Sequence, residues 1–161
     1  MDPFLPAETP PLVAIFDGFA DAAEMMAIAI GLAGFRTVDG HVSDVKRGVT
    51  DFMAFMKEHK PDVVVWDISP PYEGNWNFFQ LVRSSSALDG RGVVLTTTHK
   101  AHLDDFARAD SGALEIVGKP VDIAELVHRI RNALGRRVLA PHGETEPAPS
   151  GDPQQRRANV Q

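Results

Sequence analysis

The sequence predicts an α/β fold built on a doubly wound, five-stranded parallel sheet with five helices. Three observations carry that expectation. Five short apolar runs recur along the chain, separated by stretches whose apolar residues fall at helical spacing. The runs are continuous rather than alternating, as in strands buried on both faces. Polar residues follow several runs directly, where open parallel sheets place their sites.

Leu12 to Phe16 (LVAIF) forms the first run, and Asp21 to Ala33 the first helix, with Ala22, Met26, Ile30 and Ala33 on one side and Gly34 as a stop. FRTVDGHV is a weaker second strand. Ser43 is placed to cap one continuous second helix carrying Val45, Val49, Phe52, Met53 and Met56, which must end before Pro61. DVVVW is the clearest strand and leads into Asp67. Trp76 to about Ser85 reads as the third helix, GVVLT as the fourth strand, His99 to Ala109 as the fourth helix and ALEIV as the fifth strand. Asp122 and Glu125 resemble a capping box ahead of a last helix striped by Ile123, Leu126, Val127, Ile130 and Leu134.

Composition bounds the rest. With 161 residues and 43% apolar content, the chain has material for one core without staples. It has no cysteine, which excludes disulfides, thiolate metal sites and a cysteine nucleophile. A net charge of −6 without a long basic run argues against a nucleic-acid partner. The start, MDPFLPAETPP, lacks the basic and apolar regions of a signal peptide, and no apolar run is long enough to span a membrane. A cytoplasmic protein without membrane partners is the expectation. Residues 1–11, rich in proline, read as a flexible arm, 12–137 as the single folded domain, and 138–161 as a disordered tail.

The residues following the strands define the chemistry. Asp17 follows the first strand, Asp67 the third, Thr96, Thr97 and Thr98 the fourth, and Lys119-Pro120 the fifth. Carboxylates, a hydroxyl and an ammonium on one edge suit a phosphoryl group, with an acid to accept it or hold a metal and donors for its oxygens. On VVVWD, VVLTTT and VGKP, and on the strand–helix order across 12–137, the chain resembles the receiver domain of two-component response regulators, a flavodoxin-like fold. The separations Asp67–Thr97 and Thr97–Lys119 match those common in receivers and favour Thr97 over its neighbours.

The resemblance implies roles. Asp67 would accept a phosphoryl group from a sensor histidine kinase or a histidine phosphotransfer protein. Thr97 and Lys119 would hold the phosphoryl oxygens, and a cis bond before Pro120 would aim Lys119 inward. Asp17, Asp67 and the main-chain carbonyl of Ser69 would bind Mg²⁺. The chain would act as a stand-alone response regulator in phosphorelay signal transduction, not as an enzyme. It would signal through a downstream protein, with homodimerisation through the fourth helix and fifth strand as an option. The alternative is a phosphorylation-independent pseudo-receiver serving as an interaction module.

Three features depart from the receiver pattern. Receivers usually carry two adjacent acids after the first strand, but IFDGF holds only Asp17. It can stand for the first acid, which acts through water, or for the second, which binds the ion directly. The first alignment is preferred; on either, Mg²⁺ binding should be weak. The loop after Asp67 has proline at the usual distance (Pro71) but is one residue short before Gly74. Ile116 stands where receivers carry an aromatic residue.

Other readings are weaker. No G-x-x-x-x-G-K-[ST] exists for a P-loop, no second acid follows Asp17 two positions on as in haloacid dehalogenase-type phosphatases, and DGFAD lacks the glycines of a dinucleotide turn. His99 and His102 read as surface residues, Met25 and Met26 as core filler, Trp66 as packing beneath the strand end, and Tyr72 and Trp76 as exposed loop residues suited to a partner surface.

Overall fold

The computed structural model describes residues 8–109 and 114–139. Five strands, β1 (Leu12–Asp17), β2 (Arg36–His41), β3 (Val63–Ile68), β4 (Gly92–Thr97) and β5 (Glu115–Gly118), form one parallel sheet in the order β2-β1-β3-β4-β5. The helices are α1 (Ala20–Leu32), α2 (Val42–Lys46), α3 (Phe52–His59), α4 (Tyr72–Ser84), α5 (Lys100–Arg108) and α6 (Ile123–Leu139). The strand order reverses between β1 and β3, so the carboxyl ends of these two strands flank the crevice where such sheets bind their ligands.

Two cores cover the sheet. β1 and β3 are buried along their whole length, so successive residues alternate between the two faces. Val13, Ile15, Val63, Val65, Val94 and Val117 pack against Met26 and Ile30 of α1 and Leu126 and Ile130 of α6. Phe16, Trp66, Ile68 and Leu95 face the other way, against α3, α4 and α5. There the rings of Phe16, Phe52 and Trp66 form a triangle with centroids 5.3 to 5.6 Å apart, a spacing favourable to aromatic pairs.

The expected five helices become six because the second is broken. Gly48 takes a left-handed φ of 71°, which ends α2, and the Asp51 carboxylate restarts the chain as the N-cap of α3 by accepting from Ala54 N at 3.0 Å. Ser43 lies inside α2 instead of capping it. Lys60, left-handed at φ 50°, ends α3 just before Pro61.

α4 begins at Tyr72, four residues before the expected start. Its first turn, YEGN, carries no apolar stripe, and Gly74 adds a helix penalty of roughly 1 kcal/mol, so the sequence hides it. Trp76 is accordingly buried within α4, not exposed in a loop, and Met25 is 72% exposed while Met26 is core.

Glu115, buried at the start of β5, accepts from Arg129 at 2.9 Å and pairs with Arg136 at 2.8 Å, which ties β5 to α6. Arg36 of β2 donates to the carbonyls of Pro10 and Pro11, so the end of the expected arm is fastened to the sheet. Residues 1–7 of that arm, and the expected tail from 140 onward, lie outside the described residues; α6 runs through Leu139.

Candidate functional site: a buried acid pair bridged by lysine

Strand alternation decides which side chains meet. Counting along each strand from the α1–α6 face, Val65, Val94 and Ile15 place Asp67, Thr96 and Asp17 on that same face, at the carboxyl edge. Asp17 is 0% and Asp67 3% exposed. The Lys119 ammonium lies between them, 2.8 Å from Asp17 Oδ2 and 3.0 Å from Asp67 Oδ1. The Lys119-Pro120 bond is cis, as the resemblance implies, and the Lys119 amide donates to the Thr97 carbonyl at 2.7 Å. Asp17 Oδ1 also accepts from the Phe19 amide at 3.0 Å.

The threonine brought to Asp67 is Thr96, not Thr97. Thr96 Oγ1 donates to Asp67 Oδ1 at 2.9 Å, and the two residues are partners in the β3–β4 register. Thr97 is equally buried but on the opposite face, where its hydroxyl accepts from the His99 amide at 3.3 Å. The register accounts for this: parallel partners present their side chains on the same face, so Thr96 meets Asp67 and Thr97 turns away.

The Ser69 carbonyl lies just beyond β3 and accepts from Asn75 Nδ2 at 2.6 Å. Asn75 is buried on α4, and its Oδ1 accepts from Lys46 of α2. Sequence reading missed Asn75 and Lys46. The available signal was a lone polar residue among the apolar positions of α4.

Gly18 borders the pocket. A Cβ at position 18 would lie 3.8 Å from Ser69 Oγ and 4.0 Å from Asp67 Oδ2, so the side chain missing here is the one that would enter the pocket.

Electrostatics follow from this packing. Burial and then the neighbouring Asp17 charge raise the Asp67 carboxyl above its ordinary range, against the pull of Lys119 and the Thr96 hydrogen bond. Burial opposes the Lys119 charge, but the hydrogen bond it donates to Asp17 and the charge of Asp67 outweigh it, and its ammonium is held above its usual range. Two buried carboxylates against one ammonium leave the pocket net negative when both are ionised. Asp17, Asp67 and the Ser69 carbonyl are hard oxygen donors and fit Mg²⁺, although no cluster of three or more histidines and acids occurs among the described residues. His99 and His102 pack edge to face at 5.3 Å; His99 is exposed and His102 half-buried.

This sheet order and this edge define the receiver fold of two-component response regulators. Comparison with known proteins agrees. The transcriptional regulatory protein TorR of Escherichia coli K12 is 28% identical over 109 residues, covering 68% of this chain and 46% of TorR. The transcriptional regulatory protein PrrA of Mycobacterium bovis is 29% identical over 133 residues, covering 80% of this chain and 52% of PrrA. The chain thus spans about half the length of the curated relatives it matches. Among solved structures, the receiver domain of Francisella response regulator 1452 superposes with a TM-score of 0.60 at 20% identity, covering 78% of this chain and 98% of that domain. No protein-family model matches the sequence. No helix among the described residues is long and apolar enough to cross a membrane.

Proposed function

We propose that the chain is a cytoplasmic response regulator receiver that accepts a phosphoryl group on Asp67 and signals through protein contacts. The supporting observation is the buried Asp67 carboxylate, held between the Lys119 ammonium and the Thr96 hydroxyl with Asp17 beside it. The donor is a phosphohistidine on a sensor kinase or phosphotransfer protein. Asp67 attacks phosphorus, the P–O bond forms, the P–N bond breaks and the imidazole leaves, taking up a proton. Lys119 and Thr96 are placed to bind the oxygens gathering charge. Asp17, Asp67 and the Ser69 carbonyl would hold Mg²⁺, which supplies charge neutralisation at the phosphoryl oxygens. The chain is the acceptor in this exchange rather than an enzyme acting on a further substrate.

The test is incubation with acetyl phosphate and Mg²⁺, read on a phosphate-affinity gel. The wild type should shift and Asp67→Asn should not; an unshifted wild type at high Mg²⁺ overturns the reading.

A second reading, the phosphorylation-independent interaction module, is favoured by one observation: Gly18 stands where a further carboxylate would face Asp67 Oδ2. If the missing acid limits the metal, Gly18→Asp should tighten Mg²⁺ binding by roughly tenfold, since affinity follows the number of charged oxygen ligands. Tryptophan emission during Mg²⁺ titration measures this, because Trp66 adjoins Asp67. Unchanged affinity would mean the glycine does not limit the site.

A further inference from the structure

Two side-chain hydrogen bonds tie the end of β4 to neighbouring elements. Thr96 donates to Asp67. Two residues on, the Thr98 hydroxyl meets the Tyr72 hydroxyl at 2.7 Å. Tyr72 is the first residue of α4, at the far end of the loop that starts from Asp67. The two loops flanking the acid are therefore tied across the crevice by one tyrosine.

The tyrosine ring continues into a chain of rings. It lies 5.6 Å from both His99 and His102. His102 packs on Phe106 at 4.6 Å, and Phe106 lies nearly parallel to Trp76, 12° from coplanar at 6.2 Å. Trp76 is buried between α4 and α5 in the larger core. The Tyr72 hydroxyl is thus one end of a ring path whose other end reaches the interior of the α4–α5 face.

Resting on the phosphoacceptor reading above, we propose that Tyr72 is a positioning residue: its bond to Thr98 fixes the end of β4 so that Thr96 stays on Asp67, and it couples the occupancy of Asp67 to the α4–α5 ring stack. A phosphoryl group on Asp67 places new oxygens where the Thr96 hydroxyl now donates. Thr96 follows them by moving the strand end, and Thr98 moves with it. A hydrogen bond weakens steeply once stretched or bent from its preferred geometry, so a small displacement releases Tyr72. The freed ring then repacks against His102 and Phe106.

The experiment is ¹H–¹⁵N NMR of the full chain before and after phosphorylation with acetyl phosphate and Mg²⁺, with intact mass reporting the phosphorylated fraction. The Trp76 indole resonance, assigned with Trp76→Phe, is the readout. In the wild type it should shift on phosphorylation. Tyr72→Phe and Thr98→Val, phosphorylated to the same extent, should each lose more than half of that shift, and the double variant should lose no more than either single one, as coupled partners do. Thr98→Ser keeps the hydroxyl and should keep the shift. A merely structural tyrosine would lower stability but leave the phosphorylation-dependent shift intact. A full wild-type shift in phosphorylated Tyr72→Phe, or loss of the shift in Thr98→Ser, overturns the coupling while leaving the phosphoacceptor reading standing. A wild type that gains no mass overturns the phosphoacceptor reading, and the coupling with it.

Discussion

At the scale of single residues, the site was legible in kind and displaced by one position in detail. Asp17, Asp67 and Lys119 meet as the order of strands and acids implied, because each ends a strand of the same parallel sheet. Thr96 took the place expected of Thr97 because separations along the chain count residues, whereas contact depends on which face a strand residue occupies. The alternation Val94, Thr96 against Leu95, Thr97 already contained that parity. The two threonines separate in a titration of the Asp67 carboxyl followed by ¹³C NMR. The Thr96 hydrogen bond favours the ionised acid, so Thr96→Val should move the carboxyl further above its ordinary range. Thr97→Val should leave it where it is. Losing a hydrogen bond to a charged acceptor should also cost Thr96→Val about 1.5–3 kcal/mol of stability. Equal responses of the two variants would refute the assignment of Thr96 to the acid.

At the scale of elements, strands were more legible than helix boundaries. A strand buried on both faces writes itself as an unbroken apolar run, as β1, β3 and β4 did, whereas the edge strand β2 (RTVDGH), with no fully buried residue, was the weakest to read. The helices divide between packing and local chemistry. Val45 and Val49 continue the stripe of Phe52 and Met56, so periodicity runs on through the point where Gly48 turns the backbone left-handed. Periodicity reports which face is apolar and carries no record of φ. The first turn of α4 failed in the opposite sense: Tyr72 and Asn75 face the crevice and its loops, so their polarity reads as loop. Those two residues hold Thr98 and the Ser69 carbonyl, so the element boundary that was hardest to see is the one that positions the site.

At the scale of the whole molecule, the acid pair makes stability depend on pH. The Asp67 carboxyl is held above 3.8, so just above that pH the folded chain keeps a proton that the unfolded chain has released. Stability therefore falls as pH rises from 3.8 through the folded value, and the full cost persists above it. Lys119 works oppositely: its ammonium is held above 10.5, so its stabilising contribution is present at neutral pH and is lost only as pH rises through the folded value. Asp67→Asn removes the acidic window. Its Tm should exceed that of the wild type at neutral pH by a few degrees, the scale of about 1 kcal/mol in a domain of this size, and the gain should shrink below about pH 4. A gain of the same size across that range would show that the charge of Asp67 is not its source. The position of Lys119 has one more consequence. A cation carried by the chain cannot be diluted or chelated away, so the pocket keeps its counter-charge whatever the ionic surroundings. A dissolved divalent ion would therefore enter as a rival to a tethered one, and its affinity would be the difference between two cations rather than the filling of a void.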